Sequence, residues 1–211
     1  MFKGVIFDLD GVICFTDEYH YLAWKALAEK EGIEFNREIN NRLRGVSRMD
    51  SLEIILEKAT KAYTDEEKAA MAEDKNNLYR EYLKEMTTAD LSDEVKSTLE
   101  ALHKLGLKLS IGSSSKNTPT ILNQIGLGNF FDAVSDGNNI TKSKPDPEVF
   151  LKAAEFLGLA PSDCLVVEDA LSGAEAGHAG GFKVACVGDA AAAGAGDYNM
   201  KNFSELLAIV K

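Results

Sequence analysis

Apolar positions along this chain follow two different periods, and the change from one to the other divides it. Val5-Ile6-Phe7 is a short unbroken β-rich run, of the kind buried on both faces of a parallel sheet, and it stops abruptly at Asp8, Asp10 and Gly11. From Thr16 to about Met86 the period becomes helical. Tyr19, Leu22, Ala23, Ala26 and Leu27 recur at i, i+3, i+4, i+7 and i+8, and Gly32 supplies a stop signal. Further helices are predicted near Glu38–Leu43, Met49–Ala59 and Asp65–Lys84, the last with Thr64 as its cap and an acidic first turn. Roughly seventy helical residues with no strand among them are too many for an ordinary crossover and read as an inserted unit.

After Ala89 strand and helix patterns alternate. A helix over Glu94–Leu105 leads to the strand Lys108–Gly112, which ends in Ser113-Ser114-Ser115-Lys116-Asn117. Pro119 opens a helix that stops at Gly126, Asp132–Ser135 is a third short strand, and Asp146-Pro147 is an N-cap followed by proline at the first helical position. Val149, Phe150, Ala153, Ala154 and Leu157 give that helix its buried face. Cys164–Val167 is the most apolar strand and ends in Glu168-Asp169, and Val184–Val187 is a fifth. The Ala-rich stretch from Gly188 to Gly196 reads as a surface segment before a short final helix from Ser204. The predicted fold is α/β, a Rossmann-like parallel-sheet core (residues 1–15 and 88–211) with an inserted helical cap domain (16–87).

Composition narrows the partners. With 23 basic against 34 acidic residues the net charge is −11, which argues against nucleic acid or an anionic membrane surface. A small anion remains possible, because local donors and a metal outweigh distant, screened charge. The three cysteines, Cys14, Cys164 and Cys186, are odd in number and two lie in apolar strand-like runs, so a reducing cytoplasmic location without disulfides is expected. No signal-like segment and no apolar run near 18 residues occurs, so a soluble protein is expected, and a monomer.

Asp8 and Asp10, Ser113 with its followers, and Glu168 with Asp169 all lie at carboxyl ends of predicted parallel strands, which is where α/β sheets hold ligands. Lys144 precedes a helix and can reach the same edge. Taken one by one these are weak signals: a serine cluster is usually a loop, Lys-Pro a helix entrance, Glu-Asp a solvated pair. In this order, however, Asp8-Leu9-Asp10-Gly11, Ser113, Lys144 and Glu168-Asp169 resemble the motifs of the haloacid dehalogenase superfamily of phosphotransferases. Two cap stretches, Thr16–Trp24 and Leu43–Leu52, resemble the cap signatures of the β-phosphoglucomutase family, and Ser113–Asn117 resembles its phosphate loop. Three positions depart from that pattern: Phe15, where a polar residue is usual, Arg44, where lysine is more familiar, and Ala170, where serine is common.

The resemblance implies a chemistry that these residue types can support. Asp8 would attack phosphorus and form an aspartyl phosphate, dividing a slow transfer into two easier steps. Four gathered carboxylates repel a phosphate dianion, and a hard, oxygen-liking cation is the natural remedy. The resemblance makes that ion Mg2+, held by the side chains of Asp8, Glu168 and Asp169 and the backbone carbonyl of Asp10. Asp10 keeps its side chain free for general acid and base work. Ser113, Ser114, Ser115, Lys116, Asn117 and Lys144 would hold the transferring phosphoryl group. His20 would orient Asp10 when the cap shuts. Arg48 would grip a second, remote phosphate, with Thr16, Arg44, Gly45, Val46, Ser47 and Ser51 completing the substrate contacts. Without the resemblance, Arg48 reads as an ordinary exposed arginine and His20 as a satisfied helix histidine. The expected substrate is a small phosphorylated sugar. The expected reaction is interconversion of β-D-glucose 1-phosphate and glucose 6-phosphate through a 1,6-bisphosphate; the alternatives are a sugar-phosphate or phosphoglycolate-type phosphatase, and a metal-binding regulator without turnover.

Overall fold

A computed structural model describes residues 1–43 and 46–211 of the chain. Strand β1 (Gly4–Phe7) is followed by four helices, α1 (Asp17–Glu31), α2 (Arg37–Asn41), α3 (Arg48–Leu56) and α4 (Asp65–Leu83). The alternating half then runs α5 (Asp93–Lys104), β2 (Lys108–Gly112), α6 (Thr118–Gln124), β3 (Ala133–Ser135), α7 (Glu148–Leu157), β4 (Cys164–Glu168), α8 (Leu171–Ala179), β5 (Lys183–Cys186), α9 (Gly188–Ala192), β6 (Tyr198–Asn199) and α10 (Leu206–Ile209). All strands pair in parallel, in the order β3-β2-β1-β4-β5-β6.

Strand β1 lies inside the sheet because Val5, Ile6 and Phe7 are fully buried and find apolar partners on both faces. Val5 and Phe7 join one hydrophobic cluster with Leu109, Ile111, Leu165 and Val167, whereas Ile6 joins a second with Val166, Phe150 and Val184. Phe7 is level with Ile111 on one side and Val167 on the other, so Asp8, Gly112 and Glu168 come out at one edge. The register delivers the acids to one place.

The helices between β1 and α5 have a cluster of their own. Trp24, Leu27, Ala28, Ile33, Leu43, Leu52, Ile55, Met71 and Ala72 pack together, while Ala23, Tyr79, Leu83 and Met86, at the roots of α1 and α4, belong to the sheet cluster. Helix α4 starts with a full capping box, Glu67 N donating to Thr64 Oγ1 and Thr64 N to Glu67 Oε2. Helix α1 stops where predicted, with Gly32 in the left-handed conformation (φ 68°).

Two expectations need correction, and one helix went unpredicted. On α1 the buried face is Ala23, Trp24, Leu27 and Ala28, and Leu22 is 38% exposed, because the helix packs along α4 rather than against a layer beneath it. The segment from Gly188 is helix α9 for five residues, and its Ala190 is fully buried. Helix α8, rich in glycine and alanine, gave no periodic signal, since small residues carry little hydrophobic contrast. Its glycines face inward: a Cβ on Gly177 would stand 2.6 Å from Val184, and one on Gly173 would collide with the Glu168 carboxylate. The cysteines are free and buried, Cys164 in β4, Cys186 in β5 and Cys14 outside the strands. No helix among the described residues is long and apolar enough to cross a membrane.

Candidate active site

Between the strand ends and the helical insert lies a cavity of about 470 Å³. Asp8, Asp10, Ser113, Ser114, Ser115, Lys116, Asn117, Lys144, Glu168 and Asp169 line its sheet side, and His20, Val46, Ser47, Arg48 and Ser51 its helical side. Thr16 does not line it but donates its hydroxyl hydrogen to Asp10. Arg44 and Gly45 lie outside the described residues.

At the sheet edge, Lys144 Nζ donates to Asp8 Oδ1 at 2.6 Å and to Glu168 Oε1 at 2.5 Å. The other Glu168 oxygen accepts from the backbone N–H groups of Asp169 and Ala170 at 2.9 and 3.1 Å. The ammonium arrives from the loop before α7, which is fixed by Asp146 Oδ1 accepting from Glu148 N at 3.0 Å. Burial works against the charge on Lys144, yet Asp8 and Glu168 outweigh it and hold the pKa above the usual lysine value. Glu168 is pushed up by its own burial and by Asp8, with Lys144 opposing.

Asp8, Glu168 and Asp169 each offer one oxygen, all within 4.8 Å of one another. A hard divalent cation with oxygen preference suits three carboxylate oxygens gathered this closely. The backbone is shaped around these groups. Any Cβ on Gly11, which sits at φ 91°, would overlap the Asp169 carboxylate. The donor set therefore fits a divalent metal.

Asp10 has a separate environment. Burial first, and then the charge of Asp8, raise its pKa to about 7, with the Thr16 hydrogen bond opposing. A carboxyl group poised there can both give and take a proton near neutrality.

Beyond β2, the chain turns through Ser113–Asn117 on its own hydroxyls: Ser115 N donates to Ser113 Oγ at 3.1 Å and Asn117 N to Ser115 Oγ at 3.2 Å. Asn117 Nδ2 donates across to Asn76 Oδ1 on α4 at 3.0 Å, so the loop is tied to the helical insert. On the opposite wall, Arg48 opens α3, and the Ser47 hydroxyl caps that helix, accepting from Asp50 N at 3.2 Å.

Sequence reasoning missed the face of α4. Lys75, Asn76 and Tyr79 all line the cavity, and Lys75 Nζ lies 2.9 Å from His20 Nδ1 and over the rings of Trp24 (4.5 Å) and Tyr79 (4.7 Å). His20 itself stacks on Tyr79 with centroids 4.0 Å apart. Burial, then the charge of Arg48, bring the Lys75 pKa down to about 7, and burial with Lys75 and Arg48 pushes His20 well below its usual value. Trp24 is both core and cavity wall. The available signal was a stripe, Ala72, Lys75, Asn76 and Tyr79 at i, i+3, i+4 and i+7, which a polar helix hides.

The chain resembles known proteins in sequence and in fold. The chain is 42% identical over 188 residues to a β-phosphoglucomutase of Bacillus subtilis, covering 88% of this chain and 83% of the relative. A phosphorylated carbohydrates phosphatase of Thermotoga maritima is 29% identical over 184 residues, 86% of this chain and 82% of that one. A crystal structure of β-phosphoglucomutase from Clostridium difficile superposes with a TM-score of 0.92 at 36% identity, covering 98% of this chain and 93% of the other. Residues 2–181, from the strand that carries Asp8 to the end of α8, match the family's sequence profile, and the chain belongs to the haloacid dehalogenase-like hydrolase family.

Proposed function

We propose that the chain is a β-phosphoglucomutase, interconverting β-D-glucose 1-phosphate and D-glucose 6-phosphate through an aspartyl phosphate and β-glucose 1,6-bisphosphate. The observation that carries this reading is a single cavity with a cation on each wall, Lys144 beside Asp8 on one side and Arg48 on the other. A sugar phosphorylated at both ends needs a grip at both ends. The B. subtilis relative supports the same reaction.

In this reading Asp8 attacks phosphorus and carries the phosphoryl group. Asp10, with a pKa near 7, protonates the departing sugar oxygen and later takes the proton of the incoming hydroxyl. Lys144 and the Ser113 hydroxyl stabilise charge on the phosphoryl oxygens. Mg2+ would be held by the carboxylates of Asp8, Glu168 and Asp169 with the Asp10 carbonyl, and would supply the positive charge that lets a carboxylate meet a phosphate dianion. We assign residues 1–15 and 88–211 to the catalytic domain and 16–87 to a lid. The lid's role is to hold Arg48 on the remote phosphate, keep His20 and Lys75 over Asp10, and exclude water, which is what separates mutase from phosphatase. The remaining loop donors, Ser114, Ser115, Lys116 and Asn117, would seat phosphate. Three free, buried cysteines suit a reducing cytoplasm.

The test is product partition. Incubated with β-glucose 1-phosphate, Mg2+ and a trace of the 1,6-bisphosphate, the protein should form glucose 6-phosphate in large excess over free phosphate. Equal release of phosphate would overturn the mutase reading in favour of the phosphatase activity named for the T. maritima relative.

A further inference from the structure

Arg48 is not the only charged group on its part of the cavity wall. Glu73, one turn before Asn76 on α4, also lines the cavity, and its Oε2 stands 3.4 Å from Arg48 Nη1. The arginine side chain is 26% exposed and the glutamate 58%. This contact is long and uses one guanidinium nitrogen, whereas charge-assisted bonds from arginine to phosphate run to about 2.7–2.9 Å and commonly come in pairs. An exposed pair of this kind is weak, so a phosphate dianion reaching Arg48 displaces it. The carboxylate then remains beside the dianion and repels it. A carboxylate serves no purpose in a wall meant to bind anions as tightly as possible.

We propose that Glu73 sets the affinity of the distal phosphate site, competing with substrate phosphate for Arg48 so that a doubly phosphorylated sugar is held loosely enough to leave and turn round. The inference rests on the assignment of Arg48 as the distal phosphate ligand. Its logic is that equal tightening of substrate, intermediate and product lowers KM without helping the chemical step. A mutase whose intermediate must present each end in turn to Asp8 gains from a weaker grip. Burial and the nearby charge of Arg80 disfavour the Arg48 cation, and Glu73 partly offsets them.

The experiment compares Glu73→Gln, Arg48→Ala and the double variant, each checked by thermal melting. KM is measured for β-glucose 1-phosphate and, as a control without a second phosphate, for acetyl phosphate hydrolysis. Glu73→Gln should lower KM for the sugar phosphate about three- to tenfold, with kcat within about twofold and acetyl phosphate KM unmoved, and the gain should shrink in salt. In the Arg48→Ala background the gain should vanish. A raised KM in Glu73→Gln would mean that Glu73 positions Arg48, and an unchanged KM would make it a spectator; either overturns the inference while leaving Arg48 in place. A gain that survives in the double variant also overturns it. An Arg48→Ala enzyme with unaltered sugar-phosphate KM would instead overturn the assignment of Arg48.

Discussion

Replacing Lys144 by Met keeps most of the stem that packs near Phe150, whose ring centroid is 4.7 Å from Nζ, and removes only the charge. The ammonium is bonded to two carboxylates at 2.6 and 2.5 Å, and its side chain is 2% exposed. Breaking a buried pair while leaving its partner charged costs about 3–5 kcal/mol. In a chain of this size each kcal/mol moves Tm by about 2–4 °C, so Lys144→Met should lower Tm by about 10 °C at pH 7.5 in chelator. The loss should be smaller at pH 5. Glu168 already binds its proton more tightly than a free glutamate; without Lys144 its pKa rises further, so it neutralises on mild acidification and the penalty falls. Mg2+ should restore part of the lost stability at pH 7.5, since it neutralises the same oxygens. Differential scanning calorimetry in chelator and in Mg2+ at both pH values decides the matter. A shift below about 2 °C in chelator would show that the pair is energetically idle, and a loss indifferent to Mg2+ would remove these carboxylates from the metal site.

Asp10→Asn tests the raised pKa. A carboxyl whose folded pKa is about 7 against an ordinary 3.8 contributes stability that is present below the lower value and lost as pH rises through the upper one, so the metal-free variant should melt higher than the parent at pH 8 and near it at pH 5; parallel melting curves across pH would refute this. Gly173→Ala places a methyl where the Glu168 carboxylate sits and should raise the Mg2+ concentration for half activity at least about tenfold, read from a titration at saturating substrate. Asp169→Ala should do the same, and an unchanged Mg2+ requirement would take Asp169 out of the metal shell.

The centre of the parallel sheet was legible because β1 and β4 are buried on both faces and read as unbroken apolar runs ending in acids, whereas the two-residue strand β6, exposed at the sheet edge, carries no such run and was not predicted. Asp8 and Glu168 could be placed at a common edge from those endings alone. Lys144 could not be paired with Asp8 by any local pattern, since the two are 136 positions apart, and it was the order of motifs that brought them together. The polar face of α4 stayed hidden for a physical reason. Lys75 and Asn76 are buried where α4 borders the cavity, and a helix face that turns to a polar cavity has the same alternation as one that turns to water. Helix α8 was missed because close approach to the sheet requires glycines, which weaken the very propensity by which a helix is recognised.

The separate apolar cluster of the insert bears on how such proteins diversify. Trp24, Leu52, Ile55 and Met71 are satisfied by one another, so sequence drift among them is buffered from the strands that hold the acids. Selection can remodel the upper wall of the cavity while the phosphoryl-transfer edge stays as it is. Among the fully buried residues of the insert, the roots Ala23, Tyr79, Leu83 and Met86 must stay compatible with the sheet. Grafting of inserts between relatives should therefore succeed when the junctions leave those four residues with the recipient, and the graft should carry substrate preference with it.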